Sequence, residues 1–158
     1  MPPDVVAIAI ALQNSGVDWV LVGGMAMTLH GSDHVTTDVD FAFAPDPANL
    51  HALCRALREL NARPRRWAGE GPYVWGPKLF SAPFLELESD SGPIHILTTL
   101  FGIESFSGLR SRAAVFDLAG TSIPAVSLED LIRMKSSSDR TKDRVHLLEL
   151  EALKRLEK

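Results

Sequence analysis

Residues 18–40 constrain the fold more than any other stretch of this 158-residue chain. The run Asp18-Trp-Val-Leu-Val22 has the composition of a short β-strand and stops abruptly at Gly23-Gly24. Residues 25–30 have helical composition, and Gly31 closes that helix. Residues 36–44 form a second predicted strand, in which alternation puts Asp38 and Asp40 on one face and Val39 and Phe41 on the other. A strand ending in two glycines at the start of a helix leaves backbone N–H groups that a phosphate can approach closely. Two carboxylates side by side repel one another unless a cation lies between them. Oxygen-only ligands of this kind suit Mg²⁺, which commonly bridges a protein carboxylate and substrate phosphates. Asp38 and Asp40 are therefore candidate metal ligands, and Gly23 and Gly24 a candidate phosphate cradle.

The rest of the chain supplies a frame. Asp4 is placed to cap a helix over Val5–Asn14, ended by Gly16. Asp46-Pro47 is a good helix start, with Leu50, Leu53, Cys54, Leu57 and Leu60 forming one apolar stripe behind it. Residues 63–83 are rich in Gly, Pro and Trp and predict loops or short strands. Residues 84–88 and 93–99 look like strands joined by the turn Ser89-Asp-Ser-Gly92, and residues 113–118 and 121–125 like a hairpin around Ala119-Gly120. Ser127-Leu-Glu-Asp130 matches a capping box. A last helix over residues 142–156 is expected to bury Val145, Leu148, Ala152 and Leu156. The order of elements predicts one mixed α+β domain over residues 1–158, a small mixed sheet flanked by helices and followed by C-terminal helices.

Composition excludes several alternatives. Hydrophobic residues make up 46% and charged residues 23%, a globular balance. A net charge of −4 gives no global basic field for nucleic acid, although a local patch remains open. The single cysteine, Cys54, forms no internal disulfide and no cysteine zinc cluster; its place on an apolar stripe marks it as a core thiol. The first apolar stretch lacks the marks of a signal peptide, and no run approaches the roughly 18 apolar residues needed to span a bilayer. A cytoplasmic location is expected.

Gly23-Gly24, thirteen further residues and then Asp38-Val39-Asp40 resemble the signature of the polymerase-β-like nucleotidyltransferase superfamily. The surroundings are similar to its minimal bacterial members: toxin-type enzymes of abortive-infection systems and the lincosamide and aminoglycoside resistance enzymes. Ser127 to Lys135 and the turn Asp139-Arg-Thr-Lys-Asp143 are similar to the lysine-bearing helix and Arg-x-Lys-Asp turn of the toxin-like branch. The resemblance implies a nucleotidyltransferase fold and transfer of a nucleoside monophosphate from an NTP, with Mg²⁺ (Mn²⁺ as the alternative) as cofactor. It implies an acceptor hydroxyl on tRNA, protein or a small molecule, and an antitoxin partner. Asp38 and Asp40 then hold the metal, while Gly23, Gly24, Thr37 and Lys135 contact the nucleotide.

Family members normally carry a third carboxylate on a neighbouring strand. The corresponding stretch here is Pro93-Ile-His-Ile-Leu97, which puts His95 in that place. Imidazole is a poor ligand for Mg²⁺. Three readings follow: His95 is itself the general base, Glu86 or Glu88 supplies the missing oxygen, or the site binds nucleotide without turning it over. Arg140, Lys142 and Asp143 are read as a helix-linking ion pair ahead of a phosphate contact. Arg63, Arg65, Arg66 and Lys78, among Trp67, Tyr73 and Trp75, suggest either an anion-binding acceptor surface or a solvated, mobile loop.

Overall fold

The computed structural model describes residues 3–138 and 140–157, so Asp139 of the predicted turn lies outside the described residues. Helix α1 (Val5–Asn14) starts where Asp4 Oδ1 accepts the Ala7 N–H at 3.0 Å. Strand β1 (Trp19–Val22) follows with all four residues buried, as a central strand must be when both its faces are covered. Helix α2 (Gly23–Leu29) begins at the first glycine, two residues earlier than its composition suggests, and β2 (Val39–Phe43) is shorter than predicted. Helix α3 (Pro47–Glu59) opens as expected, with the Asp46 carboxylate accepting the Asn49 N–H at 3.1 Å. Leu53, Cys54, Leu57 and Leu60 form its buried stripe.

The remaining elements are β3 (Arg63–Pro64), a 3-10 turn at Pro77–Leu79, β4 (Phe84–Glu88), β5 (Ile94–Leu97), α4 (Phe106–Ser111), β6 (Ala114–Leu118), β7 (Thr121–Ala125), α5 (Leu128–Ser136) and α6 (Thr141–Leu156). Among the described residues seven strands make one mixed sheet in the order β3-β4-β5-β2-β1-β7-β6. β1 runs antiparallel to β2 and parallel to β7, while β2 runs parallel to β5. α1 packs on α3 and β7, α2 lies against β1 and β2 and touches α5, and α5 packs on α6. This is the mixed α+β architecture that the order of elements predicts.

Asn49 ties the frame together at the end of the β1–β2 pair where Trp19 meets Phe43. Its side chain accepts from the Asp18 N–H at 2.7 Å and donates to the carbonyls of Asp18 at 3.0 Å and Ala44 at 2.8 Å. One buried amide thus joins the start of β1, the end of β2 and the first turn of α3. Within residues 63–83 a ladder of rings ties part of the segment to the frame, while residues 65, 66, 68–72 and 74 are exposed. Trp75 is buried, its indole N–H donates to the Ala62 carbonyl at 2.8 Å, and its ring stacks on Phe80. Tyr73 meets Trp75 edge-on, and Trp67 meets Tyr73 in the same way. Arg65 pairs with Glu86 at 3.2 Å and Glu88 at 3.1 Å.

Two helices differ from expectation. α4, capped by Ser105 accepting the Gly108 N–H at 3.1 Å, is too short to show a helical period in the sequence. In α6 the predicted buried residues face outward: Val145, Leu148 and Leu156 are 61%, 70% and 81% exposed, and Ala152 is exposed as well. The inward face carries Asp143, His146 and Leu150, with Leu153 partly buried. Asp143 decides this rotation. It is 1% exposed and receives Lys135 of α5 at 2.9 Å, Arg140 at 2.8 Å and the Ser138 hydroxyl. Burial works to raise its carboxyl, but those three donors outweigh it and hold the group well below the ordinary carboxylate range. At the start of α5, Ser127 accepts the Asp130 N–H at 3.1 Å as predicted. The Asp130 carboxylate does not close the capping box, because Arg112 and Arg133 take it at 2.7 and 2.6 Å.

Removing the Asp143 charge leaves the half-buried Lys135 ammonium without its partner. Asp143→Asn is expected to destabilise the protein by about 3 kcal/mol, the usual cost of breaking one side of a buried pair. Urea denaturation at neutral pH measures it; a loss below about 1 kcal/mol would show that the pair does not hold α6 on α5.

Candidate metal and nucleotide site

Sheet register assembles the site. Val22, the last residue of β1, pairs with Asp40 of β2, and Asp40 pairs with His95 on the parallel strand β5. The chain leaves β1 at Gly23 directly beside Asp40. Here glycine is required at position 23 and makes room at position 24. Gly23 has φ +70°, and a Cβ placed on it would lie 2.3 Å from Asp40 Oδ2. A Cβ on Gly24 would crowd Thr36, at 3.2 Å from its Oγ1. The bare backbone of the bend is therefore what lets the acidic strand come close. α2 has only seven residues, so its dipole is a small part of any anion attraction at this bend.

Asp38, just ahead of β2, and Asp40 converge on one imidazole. His95 Nδ1 lies 2.9 Å from Asp38 Oδ2 and 3.5 Å from Asp40 Oδ1. Each of the three side chains offers a ligand atom, all within 4.8 Å of one another. Asp40 Oδ1 and His95 Nε2 are buried with no hydrogen-bond partner, which the polar interior of a protein rarely tolerates without a reason. Ligands at right angles around an ion with bonds of about 2.1 Å sit roughly 3 Å apart. The donor set thus fits a small divalent cation.

Electrostatics agree with a site short of positive charge. Burial, followed by the charge of Asp38, pushes the Asp40 carboxyl up to about 6, against the opposing pull of His95, Lys135 and Lys142.

The other sequence candidates fall into place unevenly. Lys135 lines the cavity that opens in front of Asp40 and His95, but its ammonium is engaged by Asp143. Thr37 is exposed at the turn before Asp38. The threonine inside the site is its neighbour Thr36, with Oγ1 lying 3.0 Å from the Asp38 carbonyl and 3.3 Å from Asp38 Oδ1. Both threonines precede the acidic pair, and only the path of the loop separates them. Glu86 stands opposite His95 in the β4–β5 register and lines the cavity, whereas Glu88 lies further along; Arg65 holds both carboxylates. The predicted ion pair of Arg140 with Asp143 is present, and Lys142 is exposed. Cys54 is buried, as a core thiol should be.

The cavity encloses about 540 Å³. Its lining combines polar groups, among them Asp40, His95, Lys135 and Arg140, with apolar ones, among them Phe84, Leu97, Phe101 and Met134. Such a cleft suits a ligand with both charged and apolar parts. Among the described residues no helix is long and apolar enough to cross a membrane.

No protein-family model and no curated protein matches the sequence. Solved structures do match the fold. The lincosamide antibiotic adenylyltransferase LnuA with lincomycin bound superposes with a TM-score of 0.59 at 15% identity, over 89% of this chain and 90% of that one. ANT(2")-Ia in complex with adenylyl-2"-tobramycin gives 0.57 at 13% identity, over 92% and 84%. A nucleotidyltransferase-like protein from Paracoccidioides brasiliensis gives 0.54 at 17% identity, over 96% and 74%. The chain has the nucleotidyltransferase fold, as its sequence signature implied.

The raised Asp40 carboxyl has a consequence for stability in chelator. Below about pH 4 the group is protonated in both folded and unfolded chains and carries no penalty. Between pH 4 and 6 the unfolded chain releases the proton while the folded chain keeps it, so stability falls across that window and stays lowered above it. Relative to wild type, Asp40→Asn is expected to gain about 2–3 kcal/mol between pH 4 and pH 7. Urea denaturation in EDTA at the two pH values tests this; an unchanged difference would contradict it.

Proposed function

From a nucleotidyltransferase fold with two carboxylates and an imidazole gathered beside a glycine bend, we propose that this protein is a metal-dependent nucleotidyltransferase. It moves a nucleoside monophosphate from an NTP to a hydroxyl acceptor. The observation that carries this reading is the convergence of Asp38, Asp40 and His95 within 4.8 Å beside Gly23. In the reaction the acceptor oxygen bonds to the α-phosphorus, the bond to the bridging oxygen of the β-phosphate breaks, pyrophosphate leaves, and the hydroxyl proton passes to solvent.

Asp38, Asp40 and His95 would hold the divalent ion, Mg²⁺ or Mn²⁺, which supplies charge neutralisation and orientation for the phosphates. The backbone at Gly23 and Gly24, with Thr36 beside it, admits the phosphate chain. Lys135, on the opposite wall, faces the charge that develops as pyrophosphate departs. The direct-base reading of His95 has less support, because Nδ1 is turned to both carboxylates and Nε2 is buried. Catalysis on this reading is positioning and electrostatics.

The acceptor is RNA, protein or a small molecule. The likeness of residues 127–143 to the toxin-like branch supports a cytoplasmic toxin-type enzyme with an antitoxin partner. The mixed polar and apolar lining of the cavity, and the antibiotic ligands of LnuA and ANT(2")-Ia, support a small-molecule acceptor. A second reading, a nucleotide-binding regulatory module of the same fold, draws on the imidazole that stands in place of a third carboxylate.

Incubation with each α-labelled NTP, Mg²⁺ or Mn²⁺, and cellular RNA, cellular protein or an aminoglycoside tests the proposal. Label is expected to reach one acceptor class and to fall at least 100-fold with Asp38→Ala. NTP binding without transfer under every condition favours the regulatory module.

A further inference from the structure

On a neighbouring strand, what meets the acidic pair is a nitrogen donor. Parallel pairing of β2 with β5 puts His95 level with Asp40, and its Nδ1 stands within 3.5 Å of an oxygen from each aspartate. The carboxylates of the adjoining strand β4 are engaged elsewhere: Arg65 holds Glu86 at 3.2 Å and Glu88 at 3.1 Å. Among the described residues the cluster comprises Asp38, Asp40 and His95.

From this donor set we infer that the site selects a first-row transition ion of the Mn²⁺ class over Mg²⁺, with His95 as the selecting ligand. The inference rests on the metal-dependent reading above. Mg²⁺ demands oxygen donors, keeps several of its waters and gives them up reluctantly. Imidazole, by contrast, is a natural ligand of the first-row divalent ions, whose affinity for mixed nitrogen–oxygen sites rises from Mn²⁺ onward. Mn²⁺ also accepts carboxylate, phosphate and water, as a phosphate-handling site needs. The Nδ1 separations of 2.9 and 3.5 Å bracket those of neighbouring ligands on one such ion. A glycine at position 23 leaves Asp40 free to keep that posture.

The test uses Mn²⁺ alone on the nucleotide-free full chain. Continuous-wave electron paramagnetic resonance gives its affinity and its displacement by Mg²⁺, and pulsed measurements detect a directly bonded ¹⁴N. Bound Mn²⁺ is expected to show nitrogen coupling and to yield only to a large excess of Mg²⁺. His95→Asp and His95→Gln, each giving oxygen in place of nitrogen, are expected to lose that coupling and to narrow the Mn²⁺/Mg²⁺ affinity ratio by about tenfold or more. Thermal melting establishes that each variant is folded, and the wild-type nitrogen coupling remains decisive where one is not. Mn²⁺ bound without nitrogen coupling, or an affinity ratio unchanged in both variants, overturns the inference while metal-dependent transfer stands. Failure of wild-type protein to bind Mn²⁺, with or without ATP, overturns both.

Discussion

Asp40 packs against the bare backbone of Gly23, and the arrangement of the site follows from that contact. The carboxylate occupies the space a Cβ would take, 2.3 Å from its would-be position. Antiparallel pairing fixes Val22 level with Asp40, so the bend that ends β1 always falls beside the acid. Parallel pairing of β2 with β5 then brings His95 to the same level. Three strands far apart in the sequence therefore deliver a bend, an acid and an imidazole to one row. A substitution at Gly23 would meet both the left-handed φ and the carboxylate, and would push Asp40 out of that row.

The opposite wall is held by different physics. Asp143 is buried under three donors, Lys135 of α5 and Ser138 and Arg140 of the segment before α6, and this network places Lys135 on the side of the cavity facing Asp40. Burying an ion pair adds little net stability, but breaking one is costly, so the network acts mainly to fix how α6 sits on α5. Lys135 and Lys142 in turn draw on the raised Asp40 carboxyl from a distance. Two aspartates therefore shape the cavity in opposite ways, one saturated with donors and one left short of them.

Much of the site was legible locally. Alternation along a strand puts Asp38 and Asp40 on one face, and both reach the same imidazole nitrogen. A double glycine after an apolar run marks the bend. His95 could be placed through resemblance but not through periodicity, since its partner strand lies more than fifty residues away. Thr36 and Thr37 are equivalent in composition, and only the backbone path chooses Thr36 as the residue at Gly24. In α6 the hydrophobic pattern points to the wrong face, and the cause is clear. Its apolar residues do recur at helical spacing, yet a charged residue and a histidine, Asp143 and His146, take the buried face. A hydrophobic pattern cannot register a helix whose orientation is set by an ion pair. Trp75 was hidden for a related reason: a Gly- and Pro-rich stretch reads as loop, while a ladder of rings fixes it to the frame.

The central claim is that the acidic pair and the imidazole hold one cation beside the glycine bend. Crystals grown with Mn²⁺ and a non-hydrolysable NTP analogue, measured at the manganese absorption edge, test it most directly. The account requires an anomalous peak bonded to Asp38, Asp40 and His95, with the analogue's phosphates reaching from that ion to the backbone at Gly23. A nucleotide seated elsewhere, or manganese bound away from these three side chains, would contradict it.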